Sequence, residues 1–489
     1  MRRRTALVLL GATAAAVAVL TRRRRVTSSP TSEPVIRATG RSARSAALAG
    51  FGARTGGAYA AHRARTVFAS TTRREELNDA FALRTAEQVA AELGNLKGAM
   101  MKLGQMASYL DQGLPSPIRT ALAELRQDAP PMSAELAAGV IRDEFGQGPD
   151  ELFAEWDPVP LASASIGQVH RALTHDDRVV AVKLQYPGVD EAIRADLDNV
   201  DALFGAAGFV FSGLDPDALV IELKERLVEE LDYRTEADNQ RLFVEYYRDH
   251  PFIHIPDVVD ELSTGRVLTT ELSPGVRWDE VLTWSQEERD LAGEAIFRFV
   301  FRSLYRLHAF NGDPHPGNYL FAPGGRVTFL DFGLVKRFTA DEVSLFHDLI
   351  DAFVLRGDLT DFRRHIERAG LLRADAGLSD EQVGGWMGHF YEFVLEDSPT
   401  TITPEYSSQT MKQMFDLSGP NAEIIKAANV PPSFVIIQRI NLGLYAVLGE
   451  LNATANWRRV ANELWPFVDG PPSTRLGEEE AAWRGATGR

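Results

Sequence analysis

The feature that most constrains this chain is a pair of polar segments on either side of a short predicted hairpin. NGDPHPGNYLF occupies residues 311–321, and LDFG follows at 330–333. Phosphoryl transfer needs oxygen ligands for magnesium and a carboxylate near the acceptor, and a hairpin can bring Asp313, Asn318 and Asp331 together. The pattern predicts that Asp313 orients or deprotonates an attacking hydroxyl or water, and that Asn318 and Asp331 hold the metal.

Either segment alone would be no more than a turn rich in Pro, Gly and Asn or a chance tripeptide. Their order and spacing after a long predicted helix favour the functional interpretation. We interpret His315, which stands between two prolines, as a structural hydrogen-bond partner.

Lys183 ends VVAVK in a predicted buried strand at 178–185. A lysine at the end of such a strand often snorkels to water, but with the downstream aspartates it is expected to bridge phosphates and a helix glutamate. A long helix predicted from Asp215 offers Glu229, Glu230 and Glu236. Because Glu230 borders the apolar face marked by leucines, we choose it as the partner of Lys183.

The loop before this strand differs from a glycine-rich phosphate flap. It reads Ala162, Ser163, Ala164 and Ser165 before Gly167. Glycines let a backbone approach phosphates closely, whereas alanine and serine restrict it and add hydroxyls. We expect a stiff nucleotide loop, and we also assign Glu271, near the end of a predicted strand at 266–272, to the nucleotide site.

Charge is distributed unevenly along the 489 residues. Residues 1–74 carry fifteen arginines and one glutamate, so the net charge of −16 leaves −30 for the remainder. Nucleic acid is therefore an unfavourable partner for the acidic body, whereas the basic head suits an anionic membrane. The absence of cysteine excludes disulfides and thiolate metal sites.

The apolar run TALVLLGATAAAVAVLT lies between MRRR and RRRR. Seventeen residues of helix would reach about 25 Å, marginal for a hydrocarbon core of about 30 Å. We interpret the run as an uncleaved anchor, with a signal peptide or a basic tail as alternatives. Arginine is denser after the run, which predicts a single N-terminal anchor in the cell membrane with the body in the cytoplasm.

The order of predicted elements is helices, a strand-rich unit with one long helix, and a mostly helical half. This order predicts an α+β, two-lobed, protein-kinase-like fold with an N-terminal helical extension and a mostly helical C-terminal lobe. The predicted units are an anchor at 1–27, a linker and amphipathic region at 28–80, a helical extension at 81–150, an N-lobe at 151–275, a C-lobe at 276–470 and a polar tail at 471–489.

Six ordered motifs resemble the UbiB/AarF family of atypical kinases over roughly residues 80–470. They are KLGQ at 102–105, the alanine-serine loop before IGQVH, VAVKLQYPGV, EELDYRTEADN, DPHPGN and DFG. The resemblance identifies the family's Lys-x-Gly-Gln signature at Lys102, Gly104 and Gln105, and its Glu-x-Asp element at Glu230 and Asp232. It gives Lys183, Asp313, Asn318 and Asp331 the phosphate, catalytic and metal roles argued above. Ser163 departs from the family's alanine run.

The resemblance implies ATP and Mg²⁺ binding, ATPase activity and a link to isoprenoid-quinone biosynthesis at membranes. It also implies a lipid or quinone precursor and quinone-biosynthesis proteins as partners. Independently, the capping box at Thr339 predicts a helix soon after Asp331, which leaves no platform for a peptide substrate. Alternatives are a small-molecule phosphotransferase of the aminoglycoside or choline kinase type and a nucleotide-binding pseudokinase scaffold.

Overall fold

Two hydrophobic cores organise the part of the chain that the computed structural model describes. The described residues are 132–164, 166–191, 193–194, 231–312, 314–373, 377–388, 390–415, 421, 423–424, 432–468 and 470–489. One core surrounds a five-stranded sheet and the other lies mainly among helices. The predicted α+β, two-lobed architecture is confirmed, whereas the predicted anchor, linker and Lys-x-Gly-Gln helix lie outside the described residues.

The smaller lobe contains a sheet in the order β1-β3-β4-β6, with β2 paired to β3. Its elements are α1 (Ala134–Phe145), α2 (Pro149–Leu152), β1 (Glu155–Trp156), β2 (Ala162–Ser163), β3 (Gly167–Leu173), β4 (Val179–Gln185), α3 (Tyr233–Tyr246) and β6 (Val267–Glu271). Between α3 and β6, the strand β5 (Ile253–His254) pairs instead with a strand of the larger lobe. In β4, Val180, Val182 and Leu184 are buried in the core. Side chains alternate across a strand, so Lys183 faces the opposite side.

The helix α1 lies within the predicted helical extension at 81–150, and the predicted strands at 178–185 and 266–272 are confirmed as β4 and β6. Ser133 caps α1 by accepting a hydrogen bond from the Leu136 N–H, and Gly146 ends it in a left-handed conformation. Because Ala137, Val140 and Ile141 pack into the core of the sheet, the smaller lobe begins upstream of the predicted boundary at residue 151.

The larger lobe is mostly helical, as predicted. Its elements are α4 (Trp278–Val281), α5 (Gln286–Arg302), β7 (Ala309–Asn311), β8 (Tyr319–Ala322), β9 (Arg326–Phe329), β10 (Val335–Arg337), α6 (Ala340–Ile350), α7 (Leu359–Arg368), α8 (Asp380–Gly388), α9 (Glu392–Leu395), β11 (Thr400–Thr401), α10 (Pro404–Phe415), α11 (Pro432–Leu451), β12 (Thr454–Ala455), α12 (Trp457–Leu464) and α13 (Arg475–Thr487). The predicted hairpin is β8–β9, in which Tyr319 pairs with Phe329.

The helix after Ser285 is shorter than predicted. We expected it to run to a left-handed stop at Asn311-Gly312, but α5 ends at Arg302, a π-helical turn spans Ser303–Leu307, and His308 has φ 49°. Residues 309–311 instead form β7, which pairs with β10. Pairing with a strand 24 to 28 residues further along the chain thus overrides the local helical pattern.

The helix predicted to run without interruption through Asp232 is also corrected. Asp232 is an extended N-cap whose side chain accepts a hydrogen bond from the Arg234 N–H, so a new helix, α3, begins at Tyr233. Residues 195–230, which carry the rest of the predicted helix, lie outside the described residues.

The predicted polar tail at 471–489 is wrong. Residues 475–487 form α13, which buries Leu476, Glu480 and Trp483 against the larger lobe. The acidic sequence suggested a solvated segment, but Glu480 forms ion pairs with Arg298 and Arg302, and these pairs offset the cost of burying its charge.

Among the described helices, none combines the length and apolar character needed to cross a membrane.

Candidate nucleotide and metal site

Lys183 pairs with a helix glutamate at the junction of the sheet and α3. Its Nζ donates hydrogen bonds to Glu236 Oε1 at 2.7 Å and to Oε2 at 2.9 Å. The Lys183 side chain is 18% exposed and that of Glu236 is 6% exposed. A buried charged pair with both carboxylate oxygens engaged holds the lysine in one orientation.

The prediction that chose Glu230 as the partner of Lys183 is corrected, because the structure shows Glu236 in that position. Glu230 itself lies outside the described residues. The choice rested on an apolar face marked by leucines that precede Asp232, whereas the N-cap at Asp232 begins a new helix with its own register. Counted from α3, Glu236 shares a face with buried Tyr233, Ala237 and Gln240. Recognising Asp232 as an N-cap would have been the sequence signal for this glutamate.

The charge of Lys183 is stabilised by its surroundings. Burial alone lowers the pKa of its ammonium group, but the negative charges of Glu236 and Asp331 outweigh burial and raise that pKa well above its usual value. Nζ also lies 5.0 Å from the centre of the Tyr233 ring. Lys183 is therefore a permanent cation, suited to binding phosphate oxygens rather than to accepting a proton.

Asp331 approaches Lys183 from the larger lobe. Its Oδ2 lies 3.6 Å from Lys183 Nζ, and its Oδ1 accepts a hydrogen bond from the Gly333 N–H. The backbone around it is tied in place, because the Asn311 side chain donates to the Asp331 carbonyl and the Asn239 side chain donates to the Phe332 carbonyl. The cluster thus joins β4, α3 and the segment after β9.

Asn318 lies at the start of the same hairpin. It ends a 3₁₀ turn, Pro316–Asn318, and its carbonyl accepts a hydrogen bond from the Leu330 N–H at 2.9 Å, next to Asp331. His315 Nδ1 accepts a hydrogen bond from the Gly317 N–H at 3.0 Å, which confirms its predicted structural role. Asp313 lies outside the described residues, between Gly312, which is held by the Leu334 carbonyl, and Pro314.

The alanine-serine loop is a tight hairpin. Ala162 and Ser163 form β2, the Ala164 N–H donates to the Gly167 carbonyl at 2.8 Å, and Gly167 begins β3. A side chain at Gly167 would collide with the Leu184 carbonyl, which explains the glycine there. Ser165 lies outside the described residues.

Glu271 ends β6 and pairs with a histidine. His254 Nε2 lies 3.2 Å from Glu271 Oε2. The hydrogen bond from His254 lowers the pKa of the Glu271 carboxyl against the opposing effect of burial. The backbone of Glu271 donates to the Asp257 carbonyl, which anchors the end of the strand.

The other predicted site residues divide into two groups. Asp232 serves as the N-cap of α3, and the backbone N–H of the next residue donates to the Gly265 carbonyl. The Lys-x-Gly-Gln residues lie outside the described residues: Lys102, Gly104 and Gln105.

Carboxylate and amide oxygens fit Mg²⁺, which prefers hard oxygen ligands and retains several waters. Asp331 and Asn318 are donors of this kind, and the Asp331 side chain is 28% exposed and so accessible to a hydrated ion. Within the described ranges, no group of three or more His, Cys, Asp or Glu residues is placed to hold a metal. The donor set fits an ion shared with a ligand's phosphates better than a site enclosed by protein.

The chain after Asp331 quickly returns to helix. After β10, Thr339 forms the predicted capping box with Glu342, and α6 begins at Ala340. The chain thus passes from Asp331 to α6 through one short strand, with no long segment that could form a peptide platform.

A family model described as "ABC1 atypical kinase-like domain" matches residues 124–364. This match spans the alanine-serine loop, Lys183, Glu236, Asn318 and Asp331.

Two relatives of the chain are also named atypical kinases. The chain is 35% identical over 269 residues to the mitochondrial atypical kinase COQ8B of Rattus norvegicus, covering 55% of this chain and 51% of the relative. It is 29% identical to mitochondrial COQ8 of Saccharomyces cerevisiae, covering 55% and 54%. The chain therefore spans about half the length of these relatives.

A solved structure matches over a longer region. The complex of Rv3197 with erythromycin from Mycobacterium tuberculosis aligns with a TM-score of 0.58 and 32% identity, covering 80% of this chain and 98% of that one. The chain belongs to the UbiB/AarF family of atypical kinases, also called ABC1 or COQ8, and has their kinase-like fold.

Proposed function

We propose that this chain is a membrane-associated atypical kinase or ATPase that binds Mg-ATP and acts on or near a lipid in isoprenoid-quinone biosynthesis. The observation that carries the proposal is the cluster of Lys183, Glu236 and Asp331, in which one cation meets carboxylates from both lobes. Phosphates of a bound nucleotide would be held by Lys183, beneath the flap of Ala162, Ser163, Ala164, Ser165 and Gly167.

Magnesium would be held by Asp331 and Asn318, and it would neutralise charge on the transferred phosphoryl group. Asp313 would orient the attacking hydroxyl or water. We keep Glu271 as a contact to the nucleotide at the end of β6, and Asp232, Lys102, Gly104 and Gln105 as family-specific regulatory residues. These roles are proposals about the chain's own side chains.

The acceptor is proposed to be water or a small lipid rather than a peptide. The short connection from Asp331 to the Thr339 capping box supports this, because it leaves no extended segment to pair with a peptide. The arginine-rich residues 1–74 support attachment to an anionic cell membrane, with the catalytic body in the cytoplasm. Quinone-biosynthesis proteins are proposed as partners because of the family membership.

The test is Mg-ATP hydrolysis by the purified full chain, with and without detergent-solubilised lipid and quinone-like headgroups. We expect Asp331→Asn to reduce turnover by about a hundredfold or more, because charge on the phosphoryl group would lose its metal. Asp341→Asn, at an exposed aspartate in the first turn of α6, is the matched control and should leave turnover unchanged.

Three results would contradict the proposal. Equal turnover in the Asp331 and Asp341 variants would exclude this site from the chemistry. Transfer of labelled phosphate to soluble alcohols without membranes would indicate a small-molecule phosphotransferase, and binding of Mg-ATP with no turnover in any lipid would indicate a scaffold. A lipid comparison of cells with and without the gene, repeated with Asp331→Asn, then tests the quinone assignment.

A further inference from the structure

An arginine-lined cavity lies between α5 and the C-terminal helix α13. Arg298 and Arg302 lie one turn apart on α5, Arg306 continues the row in the π-helical turn, and Arg484 faces them from α13. A cavity of about 370 Å³ is lined by Arg306 and Arg484. A smaller one, lined by Arg302 and Arg484, shares Glu463 and Gly470 with it.

Arg298 is fully satisfied by protein groups. It donates to Glu294, Glu463, Glu480 and the Thr474 hydroxyl, at 2.7 to 3.0 Å. It is therefore a structural residue that fixes α13 against α5.

The guanidinium group of Arg302 has fewer hydrogen-bond partners than that of Arg298. Its Nε donates to Glu480 Oε1 at 3.0 Å. Its Nη1 is buried and has no hydrogen-bond partner among the described residues. Only 1% of the Arg302 side chain is exposed, so bulk water does not replace that partner. Leaving a buried charged donor unpaired is unfavourable, because the donor loses its hydration without gaining a hydrogen bond. An acceptor in the adjoining cavity would remove that cost.

The two outer arginines also lack carboxylate partners in the described part of the chain. No described acidic side chain forms an ion pair with Arg306 or Arg484, and the recorded hydrogen bond of Arg484 runs to the Arg489 main-chain oxygen at 3.3 Å. Burial, followed by the positive charges of Arg302 and Arg306, lowers the pKa of the Arg484 guanidinium. The arginines thus repel one another across the cavity.

The charges of the described cluster leave a positive excess. Arg298, Arg302, Arg306 and Arg484 face Glu294, Glu463 and Glu480, so four cations meet three anions. Burial lowers the pKa of His250, which lies 3.7 Å from Glu480, and this favours its neutral form. The described side chains of the cluster thus favour binding of an anion over a cation.

One side of the larger cavity is apolar, although Glu463 also lines it. Trp465, Pro466, Phe467 and Val468 line the larger cavity, and the Trp465 and Phe467 rings are stacked with their centres 6.0 Å apart. Several guanidinium groups opposite an apolar wall suit a phosphate group carrying an organic substituent, since planar guanidinium forks match phosphate oxygens.

We propose that this cavity is a second ligand site, distinct from the nucleotide cleft, in which Arg302, Arg306 and Arg484 bind the phosphate group of an organic phosphate. The phosphate belongs either to a soluble monoester or to a lipid headgroup. The cavity lies where α13 docks, so occupation of the site stabilises the position of that helix.

The test uses the purified full chain and glycerol phosphate as the probe, titrated at constant ionic strength against chloride and followed by thermal unfolding. We expect saturable stabilisation of the wild type, and affinity about tenfold weaker in Arg306→Gln and in Arg484→Gln, as for loss of one charge-assisted hydrogen bond. Arg475→Gln, at an exposed arginine of α13 outside the cavity, should match the wild type. Variants of buried Arg302 are avoided because they would disturb folding.

The Lys183→Met variant distinguishes binding in this cavity from binding in the nucleotide cleft. Stabilisation by glycerol phosphate that survives Lys183→Met and weakens in the two arginine variants supports the proposal. Two results would overturn the proposed site for soluble phosphates. One is stabilisation by glycerol phosphate that Lys183→Met abolishes, and the other is stabilisation that is equal in all the arginine variants.

Vesicles of phosphatidic acid and of phosphatidylcholine provide the lipid arm. Co-sedimentation with phosphatidic acid that falls about tenfold in affinity in Arg484→Gln but not in Arg475→Gln assigns the phosphate to a lipid. A response to glycerol phosphate alone assigns it to a soluble ligand. If neither probe depends on Arg306 and Arg484, the cavity is not a phosphate site.

Discussion

Glu236 is the residue on which the geometry of the candidate site depends most directly. It engages Lys183 through both carboxylate oxygens, and its own side chain is nearly inaccessible to solvent. Asp331 lies farther from the lysine, at 3.6 Å. The lysine is thus positioned by α3, and Asp331 keeps an exposed edge for a metal.

We expect Glu236→Gln to lower Mg-ATP turnover by about tenfold to a hundredfold, because a neutral amide holds the ammonium group less firmly and leaves it free to move toward Asp331. Steady-state hydrolysis measures this change. Glu245→Gln, at a 75%-exposed glutamate on the same helix, should be neutral. Equal effects of the two variants would show that the pair does not position Lys183.

Residue identity alone predicted the chemistry of this site but not every partner. Lys183, Asn318 and Asp331 could be selected because their side chains suit phosphate and magnesium. The choice among Glu229, Glu230 and Glu236 depended on the helical register, and one capping side chain at Asp232 changed it.

At the scale of elements, α13 shows how a charged helix can be part of the core. Glu480 is buried and pairs with two arginines of α5. Burial raises the pKa of its carboxyl, but His250 at 3.7 Å and the charges of Arg302 and Arg298 outweigh burial and hold that pKa below its usual value.

A carboxyl whose folded-state pKa is depressed stabilises the fold above its unfolded pKa, and this stabilisation is lost as the pH falls from about 4.3 toward the folded value. We expect Glu480→Gln to lower the free energy of unfolding by about 3–5 kcal/mol at pH 7, because it removes the carboxylate that pairs with buried Arg302 and one of the three that pair with buried Arg298. The difference from wild type should shrink below about pH 4. Urea unfolding followed by circular dichroism at pH 7, 5 and 3.5 measures both effects.

Glu479, the residue before Glu480, provides the control for the urea-unfolding experiment. Glu479 lies on the exposed side of α13 and pairs only with Arg475 in the same helix. Glu479→Gln should change stability by less than about 0.5 kcal/mol. A gap between wild type and Glu480→Gln that stays constant from pH 7 to pH 3.5 would show that this carboxyl does not carry the dependence.

At the scale of the whole molecule, α3 connects the two cores. Tyr233 and Ala237 pack in the core of the sheet, whereas Phe243 and Val244 pack in the helical core. Lys183 belongs to the smaller lobe and Asp331 to the larger. A ligand that contacts both residues would therefore link the lobes.

We expect Mg-ATP at about one hundred times its dissociation constant to raise the free energy of unfolding by about 2.7 kcal/mol. The same concentration of ATP with EDTA should stabilise less, because the contact through Asp331 and Asn318 would be lost. Thermal unfolding at fixed ATP with magnesium or chelator measures this difference. Identical stabilisation under both conditions would contradict a metal-linked contact.

The sequence by itself determined the two-lobed α+β fold, the β8–β9 hairpin and the Thr339 cap. Such features depend on residue type and short spacing, which act locally. Only the tertiary structure decided that Glu236 pairs with Lys183, that residues 309–311 leave the helix for a strand, and that α13 packs with a buried glutamate. Each of these depends on a partner distant in sequence, and the energy of burying a charge is set by whether that partner is present.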